Sequence, residues 1–237
     1  MNATIIWMTA RGLFGRRRFL FLLPLPVLVI ALAALARSAG VDPRHWAPPV
    51  LIGLGVAVVL PVVALVVGTG VLGSEIDDGT VVHILSKPTP RWQIVVSKLA
   101  VAVAVTAVTV AIPMYAAGVL AESVRLGLAL AAASVVGTLA YSTLFLALSL
   151  VTRRPVLLGL VYVLIWEGLL SNLVRGTRVL SVQQYVVALA DRMAGSPLLE
   201  GSVSVPVALG MTAVVAVGAT LLAVERLRSF NIAGETG

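Results

Sequence analysis

Long apolar runs parted by short charged or proline-bearing islands constrain this chain more than any single motif. A transmembrane helix needs about 20 predominantly apolar residues, and such runs fall at 19–36, 50–72, 94–120, 126–150, 156–173 and 203–224. Only 11% of the 237 residues are charged and mean hydropathy is +1.07, whereas a soluble domain carries about 25% charge. That shortage leaves too little charge to cover a wetted surface. The fold class expected is an all-α membrane protein of six transmembrane helices. Its organisation is an N-terminal interfacial amphipathic helix over 1–18, a six-helix domain over 19–224 and a cytoplasmic tail over 225–237.

The first segment carries Ile5, Ile6, Met8, Leu13 and Phe14 ahead of Arg16, Arg17 and Arg18, the pattern of a helix lying in the membrane interface. Arginines, an apolar run and Ala36-Arg37-Ser38-Ala39 also fit a signal peptide, but the run is long for its hydrophobic region. Pro24 and Pro26 are tolerated where neighbouring helices satisfy the carbonyls they free.

Basic residues set orientation. With six spans and both termini on one side, that side holds 11 of the 17 Lys and Arg residues, from Arg11 to Arg228. The expectation is a multi-pass protein of the cell (inner) membrane with both termini cytoplasmic.

Several chemistries are excluded by composition. Cysteine is absent, so no disulfide, thiolate metal site or cysteine nucleophile exists. Two histidines leave little for zinc or haem. No nucleic-acid motif accompanies the net charge of +7, and basic residues beside spans account for it, so no nucleic-acid partner is expected. A Walker A loop needs Gly-x-x-x-x-Gly-Lys-Ser/Thr, and Lys87 and Lys98, the two lysines, each follow a serine. This chain therefore does not bind nucleotide through that motif.

The island over 74–92 concentrates the remaining polar chemistry. Glu75, Asp77 and Asp78 precede a short apolar run and Lys87 follows it, the order that suits a helix dipole. Val81, Ile84 and Leu85 share one helical face, Pro88 and Pro90 stop the helix, and an exposed apolar stripe needs a membrane surface or a partner to cover it. A second constellation is Trp166-Glu167. At 1.5 Å per residue Glu167 lies about 16 Å into the fifth run, where an ionisable group faces a bundle interior or water. Two roles stay open: a pathway or outer-gate residue, or a structural group neutralised by protonation or by Arg175 or Arg178. The segment 174–201 has Val182, Tyr185, Val186 and Leu189 at helical spacing, which fits a re-entrant, a surface-lying or an ordinary loop helix. Gly53, Gly55, Gly118, Gly137 and Ser134 are small enough for close helix contact.

Glu75, Gly79, Thr80, Leu85, Pro88, Arg91 and Lys98, placed between the second and third of six spans, resemble the cytoplasmic loop of ABC-2 type transporter permeases. Trp166-Glu167-Gly168-Leu169-Leu170 before an outer segment and a last span is similar to bacterial members, including the permease of nitrous-oxide-reductase maturation. The resemblance implies a type V exporter-like architecture and an ATP-driven exporter of a lipid, drug-like or other amphipathic solute. It implies two separate P-loop ATPase subunits, a second copy of this chain or a homologous permease, and surrounding lipids. No cofactor belongs to this chain, ATP and Mg being the ATPase's. The coupling residues implied are Glu75, Asp77, Gly79, Thr80, Val81, Ile84, Leu85, Pro88 and Arg91, with no catalytic or metal site. Two other classes stay open: a membrane-embedded lipid-modifying enzyme, which needs more metal-holding acids than Asp77-Asp78, and a non-catalytic membrane anchor or assembly factor.

Overall fold

The computed structural model describes residues 23–77, 90–173 and 175–229. The interfacial helix over 1–18, the start of the first run, the loop positions Gly79, Thr80, Val81, Ile84, Leu85 and Pro88, and the tail from 230 lie outside the described residues, as do the side chains of Glu75 and Asp77.

The described residues are helical, without a strand among them. Helix α1 is Pro24–Ser38, with proline in its first turn, where no N–H is needed. Asp42 caps α2, Pro43–Ala47, by accepting the Arg44 N–H. That helix passes through a π-helical stretch, Pro48–Val59, into α3, Leu60–Asp77. The wider turns ahead of Pro61 give its ring room beside the preceding carbonyls. Helices α4, Arg91–Ala121, and α5, Val124–Val151, form a hairpin. Then α6, Pro155–Val161, continues as a π-helical stretch, Tyr162–Leu170, and a last turn α7, Ser171–Leu173. A 3-10 turn, Arg175–Leu180, leads to α8, Val182–Ala194, and the chain closes with α9, Val205–Ser229.

Four helices are long and apolar enough to cross a membrane: Pro43–Leu72, Arg91–Ala121, Val124–Val151 and Val205–Leu227. Pro24–Ser38 and Pro155–Leu170 are shorter apolar helices. Six full-length spans are therefore not met by length among the described residues. The 15 residues of α1 rise about 22 Å against a hydrocarbon core of about 30 Å. The chain after Leu173 turns aside instead of rising further, and α9 runs on past the expected start of the tail, through Glu225 to Ser229.

Helix α5 is the centre of the bundle, packed on α3, α4, α8 and α9. Its hairpin with α4 is tight because two glycines meet. A Cβ on Gly118 would lie 2.7 Å from the Cα of Gly127, closer than side-chain carbons come. Ser123 caps α5 by accepting the Leu126 N–H at 3.2 Å. Gly137 faces Leu60 of α3 and Val186 of α8, while Gly68 of α3 faces Phe145, so α3 and α5 run in parallel. Gly55 meets Met114, and nothing crowds Gly53.

Candidate functional site

Two ionisable side chains are buried within the bundle: Glu167 and Lys98 are each 1% exposed or less.

Glu167 projects from the π-helical stretch toward the start of α8. Ser181, the residue before that helix, donates its hydroxyl to Glu167 Oε2. The Val182 N–H donates to Oε1 at 2.9 Å and the Gln183 N–H to Oε2 at 3.5 Å. The Tyr162 hydroxyl donates to Oε1 at 3.0 Å. Helix N-termini present unsatisfied N–H groups and a partial positive charge, so the carboxylate serves α8 as a cap supplied from another element. Ser181 completes it by accepting the Gln184 N–H at 3.3 Å. Next along the chain, Trp166 Nε1 donates to the Leu180 carbonyl at 3.2 Å, and Thr177 donates to the Leu170 carbonyl at 2.9 Å. The Trp166-Glu167 pair thus staples residues 180–183 to the helix it sits on.

The other end of α8 is held with the opposite sign. Arg125 Nε donates to the Met193 carbonyl at 3.0 Å, a cation where the helix dipole is negative. The Ser196 hydroxyl donates to Glu122, and Gly195 ends the helix at φ 61°, a conformation glycine adopts without a Cβ penalty. Val186 lies against Gly137, half-way along the 28-residue α5, while Arg125 is in its first turn. Helix α8 therefore runs from the middle of α5 to its Val124 end, buried from Val182 to Ala190 except at Gln184. A helix lying on the surface would expose one face, so of the three readings of this segment the surface-lying one is corrected.

Lys98 stands seven residues, about 10 Å, inside α4. Its Nζ donates to the Val71 carbonyl of α3 at 2.9 Å. Lys98, one of the positions that resemble the cytoplasmic loop, is an interior group that joins the helices bounding the island. Arg91 begins α4, and its Nη1 is enclosed without a hydrogen-bond partner among the described residues. Glu75 and Asp77 lie in the last turns of α3. The helices carrying Glu75, Asp77 and Arg91 thus pack together at the end of the bundle from which the island leaves. Among the described residues no three His, Asp or Glu side chains stand close enough to hold a metal.

Sequence reasoning singles out Trp166 and Glu167 but not their partners. The readable signal is Ser181-Val182-Gln183-Gln184, a serine three residues before a glutamine at the head of a periodic apolar run, which marks a helix start. It is silent on which acid completes the cap.

With this geometry in view, residues 16–182, well over half of the chain, match the family model described as ABC-2 family transporter protein. The chain belongs to that family. No curated protein matches it. ABC-2 proteins are generally membrane subunits without enzymatic activity, and a permease of this family works with an ABC ATPase. The apolar helices and the family together make this chain a membrane protein and a transporter permease subunit.

Proposed function

We propose that this ABC-2 protein is the permease of an ATP-driven exporter of lipid, drug-like or other amphipathic solutes, docked through residues 74–92 to a separately encoded ATPase. The carrying observation is the convergence of α3 and α4 on that island. Lys98 ties the two helices where they enter it, so force applied to the loop reaches the bundle through both. Glu75 and Asp77 orient the ATPase surface, the Thr80 to Leu85 stripe lies in its groove, and Pro88 and Arg91 return the chain to α4. Coupling of this kind moves packed helices as rigid bodies. The complex holds two permeases, this chain twice or with a homologous partner, and two ATPases that bind the ATP and Mg. Neither cofactor, metal nor catalytic residue is assigned to this chain.

In this reading the short helices Pro24–Ser38 and Pro155–Leu173 complete six spans. Helix α8 carries the second back into the bundle. Both termini are cytoplasmic, as the basic residues require, which puts the α4–α5 turn and α8 on the outer side of the cell membrane. The scarcity of charge within the spans favours an amphipathic cargo over a small ion, and Trp166-Glu167 flank the outer half of its path.

Native mass measurement of the complex purified in mild detergent tests the assembly. Two of these chains with two P-loop ATPases is the expected composition, and a stable lone chain with metal-dependent lipid turnover overturns the proposal. A C-terminal tag reached by protease from outside the cell overturns the orientation.

A further inference from the structure

Hydroxyls within apolar helices ordinarily turn back onto a carbonyl of their own helix, because hydrocarbon offers nothing else. Thr69, Thr109, Thr143, Thr212 and Thr220 do so here, each donating to the carbonyl four residues earlier at 2.6–3.0 Å. Ser134, Thr138 and Ser142 of α5 and Thr106 of α4 do not. All four are completely buried, and their hydroxyls have no hydrogen-bond partner among the described residues.

The exceptions are not scattered. Ser134, Thr138 and Ser142 follow at intervals of four along α5 and so form one ridge. Residue 127 is on the same side, and the close approach of Gly118 to Gly127 sets the antiparallel register of α4 on α5. Counting equally from that contact brings Thr106 level with residue 139. A buried hydroxyl left unpaired costs free energy, and several together are accounted for by an unseen polar partner.

Spacing identifies that partner. Four residues of helix rise about 6 Å, too far for neighbouring hydroxyls to bond each other. One water bonded to two hydroxyls at about 2.8 Å each spans about 4.5 Å at its tetrahedral angle and up to about 5.6 Å when collinear, a gap that hydroxyls turned toward each other along the ridge can present. We propose that ordered water molecules file along this ridge of α5, one between Ser134 and Thr138 and one between Thr138 and Ser142, with Thr106 level with them. The bundle is then wet midway along α5 and dry at the glycine contact.

A structure of the full-length protein in lipid nanodiscs, at a resolution that displays ordered water, decides the matter. Isolated peaks within hydrogen-bonding distance of Thr138 and of Ser134 or Ser142 are expected. Hydroxyls rotated onto their own helix with no density between them overturn the proposal, as does one continuous elongated density, which marks a lipid or solute. Thr138→Val is an independent check, since it keeps shape and removes the ligand both waters share. A lower melting midpoint is expected, while a midpoint unchanged or raised, the result for a dry orphan hydroxyl, overturns it.

Discussion

Glu167 and Lys98 are both ionisable side chains withdrawn from water, yet they are held in different ways. The carboxylate accepts two hydroxyls and two main-chain N–H groups at the head of α8. Each of those donors depends on it in turn: without Glu167 the first N–H groups of a buried helix have no acceptor in its place. Lys98 donates to the Val71 carbonyl, which lies inside α3 and keeps its place in the helix ladder whether or not the ammonium is present. The donors around Glu167 have no acceptor in its place if it is removed, whereas the Val71 carbonyl stays bonded within its helix without Lys98.

The comparison breaks if the two charges prove equal. Glu167→Ala is expected to cost about 3–5 kcal/mol, the range for removing one member of a buried hydrogen-bonded set, read as thermal unfolding in detergent. Glu167→Gln keeps one acceptor but turns an NH2 toward donors, and the expected loss is about 1–3 kcal/mol. Unchanged stability in both variants removes the clamp. Lys98→Met keeps the length of the side chain and sheds a buried charge. Its expected cost is about 1–3 kcal/mol, less than that of Glu167→Ala in the same assay, and the reverse order overturns the distinction. Ser181→Ala removes one donor to the carboxylate and the acceptor of the Gln184 N–H, a capping loss of about 0.5–2 kcal/mol. Arg125→Gln is the mildest change, since its side chain is exposed. Hydrogen exchange is expected to rise over residues 189–194 while residues 182–186 stay protected. A rise along the whole helix instead shows that α8 depends on both ends equally.

Much of the architecture is legible along the chain. The apolar runs locate the helices, and Val182, Tyr185, Val186 and Leu189 fall on α8 as their spacing requires. Trp166 and Glu167 are conspicuous as an indole and an acid in an apolar run. Their partners are not, because Ser181 and Val182 are 14 and 15 residues away in sequence and come near only after the chain doubles back through a 3-10 turn. Lys98 falls within the third apolar run, and only the packing of α4 on α3 shows that it faces inward and which carbonyl it meets. The hydroxyls of α5 carry no sequence signal that separates them from Thr143 or Thr69. Whether such a group bonds its own helix or faces a neighbour is settled by the rotamer that packing allows.

By itself the sequence determines the solvent and the class of fold. With so little charge, runs of this length have to be helical and sit in lipid, where each backbone must satisfy its own hydrogen bonds. It also concentrates the polar remainder in the 74–92 island and at Glu167. The tertiary structure decides which of the scarce polar groups meet. Hydrophobicity is non-directional and sets only what is buried. The pairing of Glu167 with the head of α8, Arg125 with its tail and Lys98 with α3 requires defined distances and angles, and those exist only once the helices are packed.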